Sequence, residues 1–173
     1  MDSRFDANNR ITRCKKADIM DILSFQETSL IDMPGCVSCV VYTQGCNRRC
    51  EYCHNPESIP TTAGKVPWKD VLLYLTRRQG LIDAIVFSGG EPTLQKDLVE
   101  KILCCKELNY KIGLHTNGDG DQFKTAAPLC DYILLSHYTE EKIKIVKQIR
   151  HVQLSTVINI DGLWENKIQE LPA

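Results

Sequence analysis

The sequence predicts an α/β fold with a mainly parallel sheet. Three observations carry that prediction. Short runs rich in β-branched and aromatic residues alternate with segments of helical period along most of the chain. Some of those runs, DAIVFSGG at 83–90 above all, are apolar throughout, as strands covered on both faces are. Strands separated by helices are joined by right-handed crossovers, which make neighbouring strands parallel.

Residues 1–24 are polar and irregular and read as an N-terminal arm or short helix, which leaves 25–173 as the folded domain. CVSCVVYTQG (36–45) follows a Pro-Gly turn signal and reads as the first strand. Pro67 opens a helical pattern with Trp68, Val71, Leu72 and Leu75 on one face, and Gly80 stops it. DAIVFSGG is the second strand. A helix containing Leu94, Leu98, Ile102 and Leu103 follows, then a strand in YKIGLHTNG (110–118) and a short helix over 121–129. A strand in DYILLSHY (131–138), a helix over 140–150 and a last strand in VQLSTVIN (152–159) complete the pattern. In a parallel sheet the loops leaving the carboxyl ends of the strands gather on one rim. Here those loops are the four unusual segments: GCNRRCEYCHNPES (45–58), SGGEPT (88–93), HTNGDG (115–120) and SHYTEE (136–141). One active site on that rim is expected.

Composition narrows the class. A chain of 173 residues, 43% hydrophobic and 25% charged, has the makeup of one soluble globular domain. With 21 basic and 22 acidic residues, it offers no charge excess to draw nucleic acid or an anionic membrane. No apolar run is long enough to span a bilayer, and the polar N-terminus is not a secretory signal, so a cytoplasmic location is expected. Nine cysteines without a secretory signal point to metal or redox chemistry rather than a disulfide scaffold.

Three of the nine, Cys46, Cys50 and Cys53, stand in a C-x3-C-x2-C spacing inside a polar, arginine-bearing loop. A closed zinc site needs four ligands. His54 is the nominal fourth, but it is adjacent to Cys53, and neighbouring side chains rarely converge on one ion. Cys36 and Cys39 have an odd separation in a strand and so face opposite ways. Three thiolates in one loop suit an iron–sulfur cluster, with one iron left for a substrate or cofactor. Cys36, Cys39, Cys104, Cys105 and Cys130 read as small core hydrophobes.

The three-cysteine motif, with Tyr52 before the third cysteine, resembles the signature of radical S-adenosylmethionine enzymes. SLIDMPG, VVYTQGCNRRCEYCHNPE and SGGEPTLQ are similar to the glycyl-radical activating enzymes, most of all to those serving anaerobic ribonucleoside-triphosphate reductase. The similarity runs from Ser29 to Gly118 and more weakly to Ile160. It implies a partial, open (β/α) barrel of about five to six mainly parallel strands. It implies a [4Fe-4S] cluster on Cys46, Cys50 and Cys53, and S-adenosylmethionine bound by Tyr52, Ser88, Gly89, Gly90, Glu91, Thr116 and Asn117. The activity implied is reductive cleavage of S-adenosylmethionine to a 5′-deoxyadenosyl radical that installs a glycyl radical on a partner. That partner is an anaerobic ribonucleotide reductase, with flavodoxin or ferredoxin as electron donor. The alternatives are another target, such as a pyruvate formate-lyase-type enzyme or a small molecule, and, in a different class, a non-catalytic zinc or iron–sulfur protein. Arg48 and Arg49 supply positive charge to the cluster loop, and His54 and Asn55 are expected to brace it by hydrogen bonds. Ser136-His137-Tyr138 departs from the family's Asp-x-Lys pattern, and His115 from its acidic residue; His115 is assigned no role. The chain stops soon after Asp161, so one side of the site is expected to stand open to a partner.

Overall fold

The computed structural model describes residues 19–137, 139–149, 153–160 and 163–169, with side chains through Leu154. Most of the expected N-terminal arm, and Tyr138, lie outside the described residues. Among the described residues seven strands form one sheet in chain order: β1 (Ile22–Ser29), β2 (Ser38–Thr43), β3 (Ala84–Gly89), β4 (Lys111–Thr116), β5 (Tyr132–Leu135), β6 (Gln153–Ile160) and β7 (Leu163–Gln169). Neighbours from β2 to β6 are parallel. β1 and β7 flank them antiparallel. The helices are α1 (Trp68–Arg77), α2 (Leu98–Glu107), α3 (Phe123–Ala126) and α4 (Glu140–Lys147). The architecture is the expected open, mainly parallel α/β sheet, with two antiparallel strands more than the parallel set of five.

Strands β2 to β5 are apolar on both faces, and the period of two sorts them. Cys39, Val41, Ile85, Phe87, Ile112, Leu114, Ile133 and Leu135 face the helices. There they meet Trp68, Val71, Leu72 and Leu75 of α1 and Leu98, Ile102 and Cys105 of α2. Val40, Ala84, Val86 and Tyr132 face the other side, where Met33 and Cys36 cover them from the turn after β1. Cys36 and Cys39 therefore do lie on opposite faces. Burial holds the core thiols in their neutral form: Cys39 is pushed up to about 12, and Cys105 and Cys130 are also raised. Cys104 is not the simple core thiol expected; it is disulfide-bonded.

Several element bounds differ from the sequence reading. β1 begins at Ile22, inside the expected arm. Its FQET stretch is largely exposed, as an edge strand allows, and this hid its period. Leu94 sits in a 3₁₀ turn before α2, and Leu103 is an exposed residue of α2. The helix expected over 121–129 is a four-residue turn, α3, run on into a 3₁₀ turn at Ala127–Leu129, where Pro128 removes a donor. α4 ends at Lys147, and Arg150 lies outside the described residues. β7 was not foreseen.

Candidate active site

The four loops do meet on one rim, and the side chains show how. Glu91 is the tie. Its side chain is fully buried. Oε1 accepts from Thr93 N at 2.9 Å, Thr93 Oγ1 at 2.5 Å and Thr116 Oγ1 at 2.6 Å; Oε2 accepts from Asn117 N at 2.7 Å. One carboxylate thus joins the loop after β3 to the loop after β4. Burial raises its pKa, and the four hydrogen bonds pull it back without cancelling the rise.

Gly89 and Gly90 belong to a close crossing of backbones. Gly89 has φ +105°, and a Cβ there would stand 2.3 Å from Thr43 N. A Cβ on Gly90 would stand 2.2 Å from Gly45 O and 2.8 Å from Ser58 O. Both contacts are to the stem of the cysteine loop, so the glycines let that loop seat on the end of β3. Glu91 N donates to Gly45 O at 2.9 Å and completes the crossing.

The cysteine loop is closed at its stem by Gln44, whose Nε2 donates to Glu57 O and Pro60 O, while Gln95 Nε2 donates to Gln44 O. The expected bracing by Asn55 comes from its backbone carbonyl, which accepts from Ser58 N and Oγ. Three further contacts pin the loop's far side. Asn117 Nδ2 donates to Asn47 Oδ1 at 2.9 Å. Arg48 ion-pairs with Asp119, Nε donating to Oδ2 at 2.7 Å. His137 Nε2 lies 2.8 Å from the Tyr52 hydroxyl, the two rings stacked at 16°. Asp119 also holds Lys142 of α4. Burial alone would raise Asp119, but hydrogen bonds and charges from Lys142 and Arg48 outweigh it and lower its pKa. Burial, then the Arg48 charge, lowers His137. Arg49 turns back to donate to Cys46 O and Arg48 O.

Between these loops lies a cavity of about 240 Å³. Cys46, Cys50, Tyr52, Cys53, Ser88, Gly89, Gly90, Glu91, Thr116 and Asn117, the ten residues singled out from sequence, all line it. His115 and His137 also line it and were given no role. His115 Nε2 bonds to Asp32 O at 2.8 Å, tying β4 to the turn after β1, and burial lowers its pKa. Gln44, Asn47, Asp119 and Lys142 were missed as well. Polar residues in polar loops carry no periodic signal, and only the fold pairs them.

Cys46, Cys50 and Cys53 differ from the core thiols in being half-exposed to this cavity. Burial raises Cys46; the hydrogen bond from Arg48 N lowers it, and the nearby Glu91, Cys50 and Cys53 raise it further. Among the described residues no group of three His, Cys, Asp or Glu is gathered as around a single ion. Three soft thiol donors around one cavity, beside a face of glycine backbone, fit an iron–sulfur cluster with a ligand next to it.

A thiolate loop on the carboxyl rim of a parallel sheet defines a metal-cofactor site. Comparison with known proteins makes it particular. The family model described as the radical SAM superfamily matches residues 40–139. The chain belongs to that superfamily, whose members use a [4Fe-4S] cluster and S-adenosylmethionine. It is 36% identical over 105 residues to a pyruvate formate-lyase-activating enzyme of Clostridium pasteurianum, covering 57% of this chain and 44% of that one. It is 38% identical over 93 residues to a putative glycyl-radical enzyme activating enzyme of Methanocaldococcus jannaschii, covering 53% and 38%. The chain thus spans less than half the length of either relative. The solved structure of QueE from Escherichia coli overlays 76% of each chain with a TM-score of 0.45 at 15% identity. No described helix is long and apolar enough to cross a membrane.

Proposed function

We propose that this chain activates a glycyl-radical enzyme. The single observation behind the reading is the shared cavity: three half-exposed thiols on one wall, and the loops after β3 and β4 on the other. Relatives named as activating enzymes support the choice of reaction. Cys46, Cys50 and Cys53 are assigned to the cluster. The backbone of Ser88, Gly89 and Gly90, with Thr116, Asn117 and the backbone at Tyr52, is assigned to S-adenosylmethionine. When bound, cluster and cofactor together supply one-electron cleavage of the sulfonium and the carbon radical that abstracts hydrogen. Glu91, buried and already accepting four hydrogen bonds, serves by fixing both cofactor loops. Arg48 adds positive charge beside the thiolates.

The partner is assigned to the anaerobic ribonucleoside-triphosphate reductase class, on the resemblance of the segments from Ser29 to Gly118. A pyruvate formate-lyase-type partner is the second reading, favoured by the name of the relative from Clostridium pasteurianum. Flavodoxin or ferredoxin is the proposed electron donor. The test is anaerobic: reconstituted, reduced chain with S-adenosylmethionine is mixed with each candidate partner and examined by electron spin resonance. A glycyl-radical doublet on one partner, and not on its Gly→Ala variant, is expected. Cofactor cleavage tightly coupled to a small molecule without any protein partner would overturn the proposal. A reconstituted protein holding one zinc and no iron would overturn it too.

A further inference from the structure

His137, in the loop after β5, touches both Cys50 and Tyr52. Its Nε2 is 2.8 Å from Tyr52 Oη and 3.7 Å from Cys50 Sγ. Its Nδ1 is 3.4 Å from Ser136 Oγ. The imidazole is fixed from behind: Ser136 N donates to Thr116 O at 2.9 Å, and Lys142 Nζ donates to His137 O at 3.1 Å. Its ring lies nearly parallel to that of Tyr52, with centroids 6.1 Å apart. A cysteine sulfur bound to iron has lost its proton and can only accept. The Tyr52 hydroxyl carries a proton and can donate as well as accept.

We infer that His137 is a positioning residue for the cluster: it donates from Nε2 to Tyr52 Oη, and the Tyr52 hydroxyl donates in turn to Cys50 Sγ. Nδ1 then faces Ser136 Oγ at 3.4 Å, a hydroxyl that also reaches Thr116 O at 3.2 Å and turns to suit. The inference rests on the cluster assignment to Cys46, Cys50 and Cys53, and not on the choice of partner. A hydrogen bond to a ligand sulfur draws charge from the thiolate and stabilises the reduced, more negative cluster. The loop after β5 thereby sets how readily the cluster accepts its electron.

The experiment reads the cluster with no partner protein present, so its failure and the failure of glycyl-radical activation are separate results. The full chain is reconstituted anaerobically, and its iron and its electron spin resonance-monitored midpoint potential are measured for wild type, His137→Phe, His137→Gln and Tyr52→Phe. His137→Phe and Tyr52→Phe should each shift the reduction equilibrium toward the oxidised cluster by about tenfold, which is about 59 mV for one electron. Gln keeps an N–H donor and should restore most of the shift. The double variant should fall no lower than the lower single, because one relay is being cut twice. A loaded His137→Phe cluster whose equilibrium stays within about twofold of wild type overturns the inference. Should His137→Phe fail to hold iron, Tyr52→Phe decides: a lowered midpoint supports the relay, and an unchanged one overturns it.

Discussion

Replacing Glu91 by Gln tests whether one carboxylate holds the two cofactor loops together. A carboxylate only accepts, and here each oxygen meets a backbone N–H: Thr93 N at Oε1 and Asn117 N at Oε2. An amide offers one acceptor and one donor. Whichever way the introduced amide turned, one of these buried N–H groups would face another N–H. The two threonine hydroxyls can rotate to suit; the backbone cannot. An orphaned buried donor costs about 1–3 kcal/mol. Removing a buried charge works the other way, so the net loss expected is about 1–2 kcal/mol. For a chain of this size that is a fall of about 2–8 °C in Tm. The assay is thermal unfolding of the iron-free chain by circular dichroism, with amide hydrogen exchange read at Thr93 and Asn117. One of the two amides should lose protection and the other keep it. An unchanged Tm with both amides protected would show that something other than the carboxylate ties the loops.

Cys46→Ala, Cys50→Ala and Cys53→Ala should each abolish the cluster spectrum, while Cys36→Ala and Cys39→Ala retain it; equal loss from either of the latter would move the site to the strand. Gly90→Val should reduce iron content as well as cofactor cleavage, because its Cβ strikes Gly45 O at 2.2 Å and displaces the cysteine loop. Full iron content with cleavage alone lost would mean that the glycine makes room for ligand only. Asp119→Asn should cost about 0.5–1 kcal/mol, less in high salt, since the ion pairs are partly exposed. The folded pKa of Asp119 is depressed, so this contribution is present above the ordinary carboxylate value of 3.8 and fades as pH falls through the folded value. Urea titrations at pH 7 and at pH values stepped down below 3.8 should show a difference between the two proteins at the first that shrinks along the series.

The sequence carried the parallel core and the wall of the site because both are written in local signals. Trp68, Val71, Leu72 and Leu75 recur at helical spacing and are all buried. The three cysteines are separated by a spacing that few structures other than a cluster loop require. What stayed hidden depends on tertiary placement. β1 presents exposed Gln26 and Glu27 on an edge, where burial selects for no period. Asp119 meets Arg48 across 71 positions, and Tyr52 meets His137 across 85, so no local pattern marks either pair. The glycines were legible as special but not for the right contact. Gly89 and Gly90 looked like room for a ligand, and their immediate neighbours are Thr43, Gly45 and Ser58 of the protein's own chain.

The strand order has a consequence for how the molecule is made. Each described strand pairs with its neighbours in chain order. During synthesis the sheet can therefore grow by accretion, each new strand closing one local loop onto an existing edge. The cysteines are translated early, but the residues that pin their loop come late: Asn117 for Asn47, Asp119 for Arg48 and His137 for Tyr52. Until the ribosome has passed β5, the thiols hang on a loop fastened only at its stem. Iron offered to the nascent chain before then would meet an unorganised ligand set, and the finished fold, rather than the cysteine motif itself, is the template on which a cluster can be built.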